Sequence, residues 1–358
     1  MSACRAGFFD AASRLPVHIR HGLNALGLKR RRAGAQATAR QQRGKIMAEN
    51  YRFDFEKSRA ALQSILLRRL PVDGDYPTSV SGFMLHRYSH GHAPRANFYD
   101  PVIIVVVQGK KWVRIGMEDI QYGEQTCFIA GINMPATSCV MEASEDKPFL
   151  SMSLGLDRSI LAGLAARVPP VEEDRAPTSA GAAVQEVSPE LLDAFLRLLE
   201  LPDRPGQAEV LGDLIRQEIY FRLLASPFGR HLRLLNTLGS QSHQISKAIM
   251  WLRENYKESL HVEKLAGRLN MATSTFHKYF KAITTLSPLQ YQKRLRLGEA
   301  QRLMLSGECD ATRAAFAVGY ESATQFNREY KRLYGESPRK DIMKMKNAAE
   351  PRPSRPHA

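Results

Sequence analysis

Two groups of residues in this chain have types and spacings suited to chemistry, and the chemistry differs between them. The first is His86-x-x-x-His90-x-His92, three imidazoles of the kind that ligate transition metals. A catalytic metal needs about three protein ligands, so such a pair calls for further carboxylate or histidine donors. Here Ala93-Pro94-Arg95-Ala96-Asn97 follows, the next acid is Asp100, and no histidine occurs between 93 and 230. These histidines therefore read as loop residues or as part of a small-molecule pocket, with no metal and no cofactor. The cysteines Cys4, Cys127, Cys139 and Cys309 lie far apart without a CxxC pair, which excludes a disulfide framework or a zinc cluster. Cys127 and Cys139 read as small buried hydrophobes on strands, with a thiol that senses an electrophile as the sharper alternative. No Gly-rich phosphate loop, nucleophile elbow or HExxH helix is present. The second group is Ser274, Thr275, His277 and Lys278, hydrogen-bonding and cationic side chains placed near the outer face of one helix.

That helix belongs to a recognisable unit spanning Val262 to Phe280. Small Ala266 lets two helices cross closely, and Asn270, four residues on, suits a left-handed turn. Thr273 or Ala272 begins the second helix, Phe276 and Phe280 anchor it, and its N-terminal half is the part that meets base edges in a helix-turn-helix. A second copy runs from Ala314 to Lys331, with turn glycine Gly319, N-cap Ser322 and the aromatic pair Phe326/Tyr330. The two aromatic pairs are offset by 50 residues, although the second turn is one residue longer. Ser287-Pro288 opens a helix between the copies that runs to Leu305, about 18 residues or ~27 Å. Adjacent major-groove faces on one side of DNA lie ~34 Å apart, so one chain can read a bipartite site of roughly 15–20 bp. Two αα-hairpins of an ordinary bundle are the plainer alternative, and the duplication in register speaks against it.

The remainder of the 358 residues must form at least one more folded unit. Hydrophobic residues make up 44% and charged residues 24%, enough apolar side chain for real cores, and no run of 18 apolar residues crosses a membrane. The net charge of +15 divides unevenly: +9 over 1–47, −4 over 48–241, +8 over 242–345 and +2 beyond. A basic module following a mildly acidic one suits a polyanionic partner, with a plain solubility surface as the other reading. Residues 1–47, with Lys29-Arg30-Arg31-Arg32 and no apolar period, are expected outside the fold as a disordered arm or an early start ahead of Met47. Periodicity predicts a helix over 51–70, then short strands at Val102–Val107, Lys111–Ile115, Ile120–Tyr122, Thr126–Ile129, Ser138–Glu142 and Phe149–Leu154. Such strands suggest a small sandwich or barrel. Helices are expected over 157–168, from Ser188-Pro189, and over 207–224, with a Pro/Ala/Glu linker at 169–181. The apolar stripes of the later two serve either the core or a dimer interface.

Residues 245–340 resemble the DNA-binding domain of AraC/XylS-type transcriptional regulators, down to the ending Phe326-x-Arg328-x-Tyr330-Lys331-x-x-Tyr334-Gly335-x-x-Pro338. Upstream, Asp100-Pro101, Val107-Gln108-Gly109-Lys110-Lys111 and Tyr122-Gly123-Glu124 resemble the cupin-like N-terminal domain of one branch of that family. The resemblance implies a two-domain α+β chain: an N-terminal cupin-like β-barrel with flanking helices (48–225), a linker (226–243), a C-terminal all-α double helix-turn-helix domain (244–342) and a disordered tail (343–358). It implies a cytoplasmic, nucleoid-associated regulator, not an enzyme, that binds double-stranded DNA and RNA polymerase, responds to an unknown small-molecule effector and pairs as a homodimer. The family's base-reading positions fall on Ser274, His277 and Lys278, and on Ala323, Thr324, Asn327 and Arg328, with Thr273 and Ser322 at the helix starts. Lys281, Arg294, Arg296 and Lys331 are the expected phosphate contacts. Some family members carry a large aromatic where this chain has Ser274. The competing readings are a cupin-type metalloenzyme and a non-specific architectural DNA-binding protein.

Overall fold

The computed structural model describes residues 54–91, 94–116, 118–168, 181–203, 206–237 and 239–349, so the expected arm 1–47 and His92 lie outside the described residues. A first helix, α1 (54–69), precedes ten strands: β1 (Gly74–Pro77), β2 (Phe83–Tyr88), β3 (Arg95–Tyr99), β4 (Val102–Gln108), β5 (Lys110–Ile115), β6 (Glu118–Gly123), β7 (Thr126–Ala130), β8 (Met134–Glu142), β9 (Phe149–Gly155) and, after helix α2 (Arg158–Ala165), β10 (Ala182–Glu186). They form a six-stranded sheet, β1-β2-β9-β4-β7-β10, and a four-stranded sheet, β3-β8-β5-β6, antiparallel throughout.

The expected barrel is corrected by this topology: the two sheets face each other but are not closed into one. β4 bulges between Val106 and Gln108, and the chain turns at Gly109 (φ 85°) to enter the second sheet as β5. A side chain at Gly109 would place its Cβ 2.4 Å from the Glu142 carbonyl, so the corner requires glycine. No ladder joins the two sheets among the described residues, which leaves β1, β10, β3 and β6 as edges. Inward residues of both sheets share one core. Phe128 lies 5.1 Å from Tyr99 and 5.2 Å from Tyr122 between ring centroids, with Ile104, Val106, Val113 and Phe149 around them.

On the other face of the larger sheet, Phe83 of β2 meets Phe195 of α3 (Pro189–Glu200) at 6.2 Å. The Ser188 hydroxyl caps α3 by accepting from Leu191 N–H. α4 (Ala208–Leu224) is tied to β9 through Tyr220, whose hydroxyl donates to the Gly155 carbonyl at 2.5 Å. The stretch 226–243, expected as a connector, holds α5 (Gly229–Asn236) and the start of α6 (Gln241–Glu254). Six further helices follow among the described residues: α7 (Val262–Arg268), α8 (Thr273–Thr284), α9 (Pro288–Leu305), α10 (Ala311–Ala317), α11 (Ala323–Tyr334) and α12 (Pro338–Ala349).

These C-terminal helices divide between two cores. Phe276 and Phe280 of α8, with Leu265, Ala266, Ile249, Tyr291 and Leu295, belong to the same apolar cluster as the inter-sheet core. Leu297, Ala300, Met304, Phe326 and Tyr330 form a separate cluster with Ala314, Ala315 and Ile342. The long helix α9 contributes its first half to one cluster and its second half to the other. Its start is fixed by a capping box, Ser287 accepting from Gln290 N–H while the Gln290 side chain accepts from Ser287 N–H.

Candidate nucleic-acid interface

α7–α8 and α10–α11 are the two helix-turn-helix units, and each turn is built as its residues predict. Asn270 adopts φ 52° in the first turn and Gly319 adopts φ 90° in the second. The second turn requires glycine, because a Cβ at Gly319 would lie 2.3 Å from the Lys257 carbonyl. Behind the turns, Phe276/Phe280 and Phe326/Tyr330 pack at 5.5 Å within each pair and are wholly buried. Truncating one of these rings to alanine costs about 3–5 kcal/mol. The anchors fix which face of each helix points outward.

That outward face carries the expected contact residues in matching order. Ser274, His277, Lys278 and Lys281 occupy steps of three, four and seven along α8, which is one helix face. Thr324, Asn327, Arg328 and Lys331 repeat the same steps along α11, each 50 residues later. All eight are exposed, while Thr273 and Ala323 at the helix starts are half-buried. Ser322 caps α11 through its hydroxyl, which accepts from Gln325 N–H, whereas α8 begins after Ala272 without a side-chain cap. Among the described residues, no hydrogen bond or ion pair engages the side chains of His277, Lys278, Asn327 or Arg328. Donors left free on one exposed face can be given wholly to bases and phosphates.

Arg294 and Arg296 depart from the expectation. Arg294 donates to the Gly116 carbonyl of the β5–β6 turn at 2.9 Å, and Arg296 donates to the carbonyls of Tyr256, Lys257 and Glu258. Burial lowers the pKa of both guanidiniums below the usual arginine range. One Arg294 amine and the Nε and one amine of Arg296 are engaged within the fold, which leaves these two less free for phosphate than the exposed Lys281 or Lys331. Sequence reasoning also missed Glu329, a nearly buried carboxylate on α11 that accepts from Lys293 of α9 at 2.7 Å, from Tyr320 at 2.9 Å and from Gln325 at 3.2 Å. Burial pushes the Glu329 carboxyl up, but those hydrogen bonds and the Lys293 charge outweigh it and hold it below the ordinary carboxylate range. Lys293, 36 residues away in sequence, gave no local signal of this pairing.

The N-terminal unit meets the first helix-turn-helix directly. Tyr291 of α9 donates to the Asn133 carbonyl at 2.7 Å, the Thr285 hydroxyl at the end of α8 lies 3.4 Å from the Ile115 carbonyl, and Arg253 of α6 pairs with Asp100. Beside this seam lies a cavity of about 510 Å³ lined by Ala96, Phe98, Arg294, Gly298 and Tyr334 among others. Of the chemistry weighed for the sheets, His86 lies on β2, where Nδ1 contacts Asp75 at 2.5 Å and Nε2 contacts Ser153 at 2.8 Å. The expected loop placement is corrected accordingly, and the hydrogen bond from His86 lowers the pKa of Asp75. No three His, Cys, Asp or Glu side chains gather as metal ligands among the described residues. Burial pushes the Cys127 thiol up to about 12 and also raises Cys139, which disfavours the reactive thiolate. No described helix is long and apolar enough to cross a membrane.

The family model described as AraC-type transcriptional regulator N-terminus matches residues 79–231, and one described as a helix-turn-helix domain matches residues 265–341. The HTH-type transcriptional activator RhaS of Escherichia fergusonii is 26% identical over 148 residues, covering 41% of this chain and 53% of that protein. The HTH-type transcriptional regulator ArgR of Pseudomonas aeruginosa is 25% identical over 170 residues, covering 48% of this chain and 49% of that protein. The chain thus spans about half the length of these curated relatives. Among solved structures, unsaturated fatty acid bound ToxT of Vibrio cholerae aligns with 76% of this chain and 98% of its own, at 12% identity and a TM-score of 0.48.

Proposed function

Because the chain belongs to the AraC-type transcriptional regulators, we propose that it is a sequence-specific activator reading a bipartite DNA site through α8 and α11. The observation that carries this reading is the repeated outward face: two polar and cationic stripes 50 residues apart, held by the 18-residue helix α9. At 1.5 Å per residue α9 spans ~27 Å, which suits successive major grooves on one side of a duplex. Ser274, His277, Lys278, Ala323, Thr324, Asn327 and Arg328 then read bases, with Thr273, Lys281, Ser322 and Lys331 close to the backbone. The partially positive N-terminus of each recognition helix adds attraction for phosphate.

In this reading the 48–225 unit answers a small effector, and 244–342 carries it to DNA and RNA polymerase. Effector binding alters transcription to the extent that the ligand prefers one arrangement of the two units over another. The chain pairs with a second copy through α4, where Val210, Leu211, Leu214 and Phe221 are exposed along one side. Leu214→Glu is expected to leave a monomer, read by light scattering after size exclusion.

The deciding experiment selects genomic fragments bound by the purified protein at near-physiological salt. A shared bipartite motif with halves about one helical turn apart is the expected result. Uniform recovery lost steeply with salt would instead mean charge-driven architectural binding.

A further inference from the structure

Strand β3 is an edge strand, laddered to β8 on one side only. Edge strands leave backbone donors without a ladder partner. One of these, the Ala96 N–H, donates to Gln301 Oε1 at 3.0 Å. Gln301 lies on α9 and is 2% exposed. Its other terminus, Nε2, donates to Asp341 Oδ2 of α12 at 2.8 Å, and the same oxygen accepts from the Tyr330 hydroxyl at 2.7 Å. Tyr330 is a wholly buried anchor of α11, one residue from Lys331 and two from Arg328. An unbroken line of hydrogen bonds therefore runs from the sheet edge to the second recognition helix.

A carboxamide is suited to such a link, because it presents an acceptor and a donor at a fixed separation on one rigid plane. Turning Oε1 away from Ala96 turns Nε2 away from Asp341, and a buried group left unpaired costs more than the bond itself. The first recognition helix is held differently, by Thr285 against Ile115 and by a core shared with the sheets. The cavity at the seam flanks β3 next to Ala96, so the strand has room to move there.

We propose that Gln301 is a positioning residue that sets α11 against the sheet edge, so that a displacement of β3 reaches the second recognition helix selectively. This rests on the activator reading only where DNA is the readout. Anything entering the cavity presses on the strand that Gln301 holds, which gives the N-terminal unit a route to one half-site at a time.

Hydrogen exchange on the full chain without DNA tests the link directly. Gln301→Met keeps volume and removes both bonds; exchange over 323–334 is expected to rise by roughly two- to tenfold, the range for one net hydrogen bond, with 273–284 unchanged. Gly298→Leu grows toward Ala96, whose Cβ lies 3.9 Å from a Cβ built at Gly298. It should raise exchange over 323–334 in the same way, and add nothing in the Gln301→Met background. Equal changes in both recognition helices, an unchanged 323–334, or additive effects of the two substitutions would overturn the proposal. Should Gly298→Leu fail to fold, the contrast between 323–334 and 273–284 in Gln301→Met decides alone. On a selected site, scrambling the second half should cost Gln301→Met less than wild type, and scrambling the first half should cost both equally. Wild-type protein that binds no bipartite site would end the activator reading, while the exchange result would stand or fall by itself.

Discussion

At the scale of single residues, the difference between Arg328 and Arg294 is one of surroundings. Both are arginines on helices of the helix-turn-helix region, but Arg328 is exposed and unengaged whereas Arg294 is turned onto the Gly116 carbonyl. Arg328→Ala is expected to weaken the cognate site by about 1–3 kcal/mol while leaving random DNA little changed, measured by competition binding. Equal weakening of both would make Arg328 a phosphate contact. Glu329 sets a second expectation, in pH. Its folded pKa lies below the ordinary value of 4.5, so its stabilising effect is present above that value and is lost as pH falls through the folded one. Lys293, Tyr320 and Gln325 face it, and Glu329→Gln should destabilise the α10–α12 unit by about 1–3 kcal/mol near neutral pH and flatten its acid limb. Melting curves between pH 3 and 7 would show both effects. The exposed faces of α8 and α11 were legible in the sequence because anchor aromatics fix helix phase. Glu329 and Arg294 were not, because their partners are 36 and 178 residues away.

At the scale of elements, α9 fixes the spacing of the two recognition helices. Inserting about five base pairs between the half-sites turns one half by about half a helical turn and should abolish simultaneous contact, which a mobility shift with the altered site would report. Residual binding should equal that of a single half-site. Helix positions were the most readable part of the chain: Ser287-Pro288 to Leu305 matches the observed α9, and Asn270, Gly319 and Ser322 take their expected conformations. The sheets were less readable. Alternation and turn residues separate strands from helices, but closure depends on which edges meet, and the corner at Gly109 resolves into two open sheets. β10 carried too weak an alternation to stand out from its Ala-rich sequence, yet it forms a full ladder with β7.

At the scale of the whole molecule, the apolar clusters divide the chain differently from its motifs. Phe276 shares a cluster with the inter-sheet core, while Phe326 belongs to the cluster of α9–α12. Phe326→Ala is therefore expected to loosen 311–345 alone, and Phe276→Ala to loosen the sheets as well, each by about 3–5 kcal/mol, with exchange mapped along the chain. The two helix-turn-helix units look like duplicates, but one shares its core with the sheets, whereas the other has a cluster of its own and meets the sheet edge through Gln301. This has a consequence for how such regulators can be recombined. A hybrid joined near residue 242, where the motifs invite the cut, would separate Phe276, Ile249 and Tyr291 from the sheet residues they pack among. A crossover inside α9, between Leu295 and Leu297, would leave each cluster whole and exchange one half-site preference at a time.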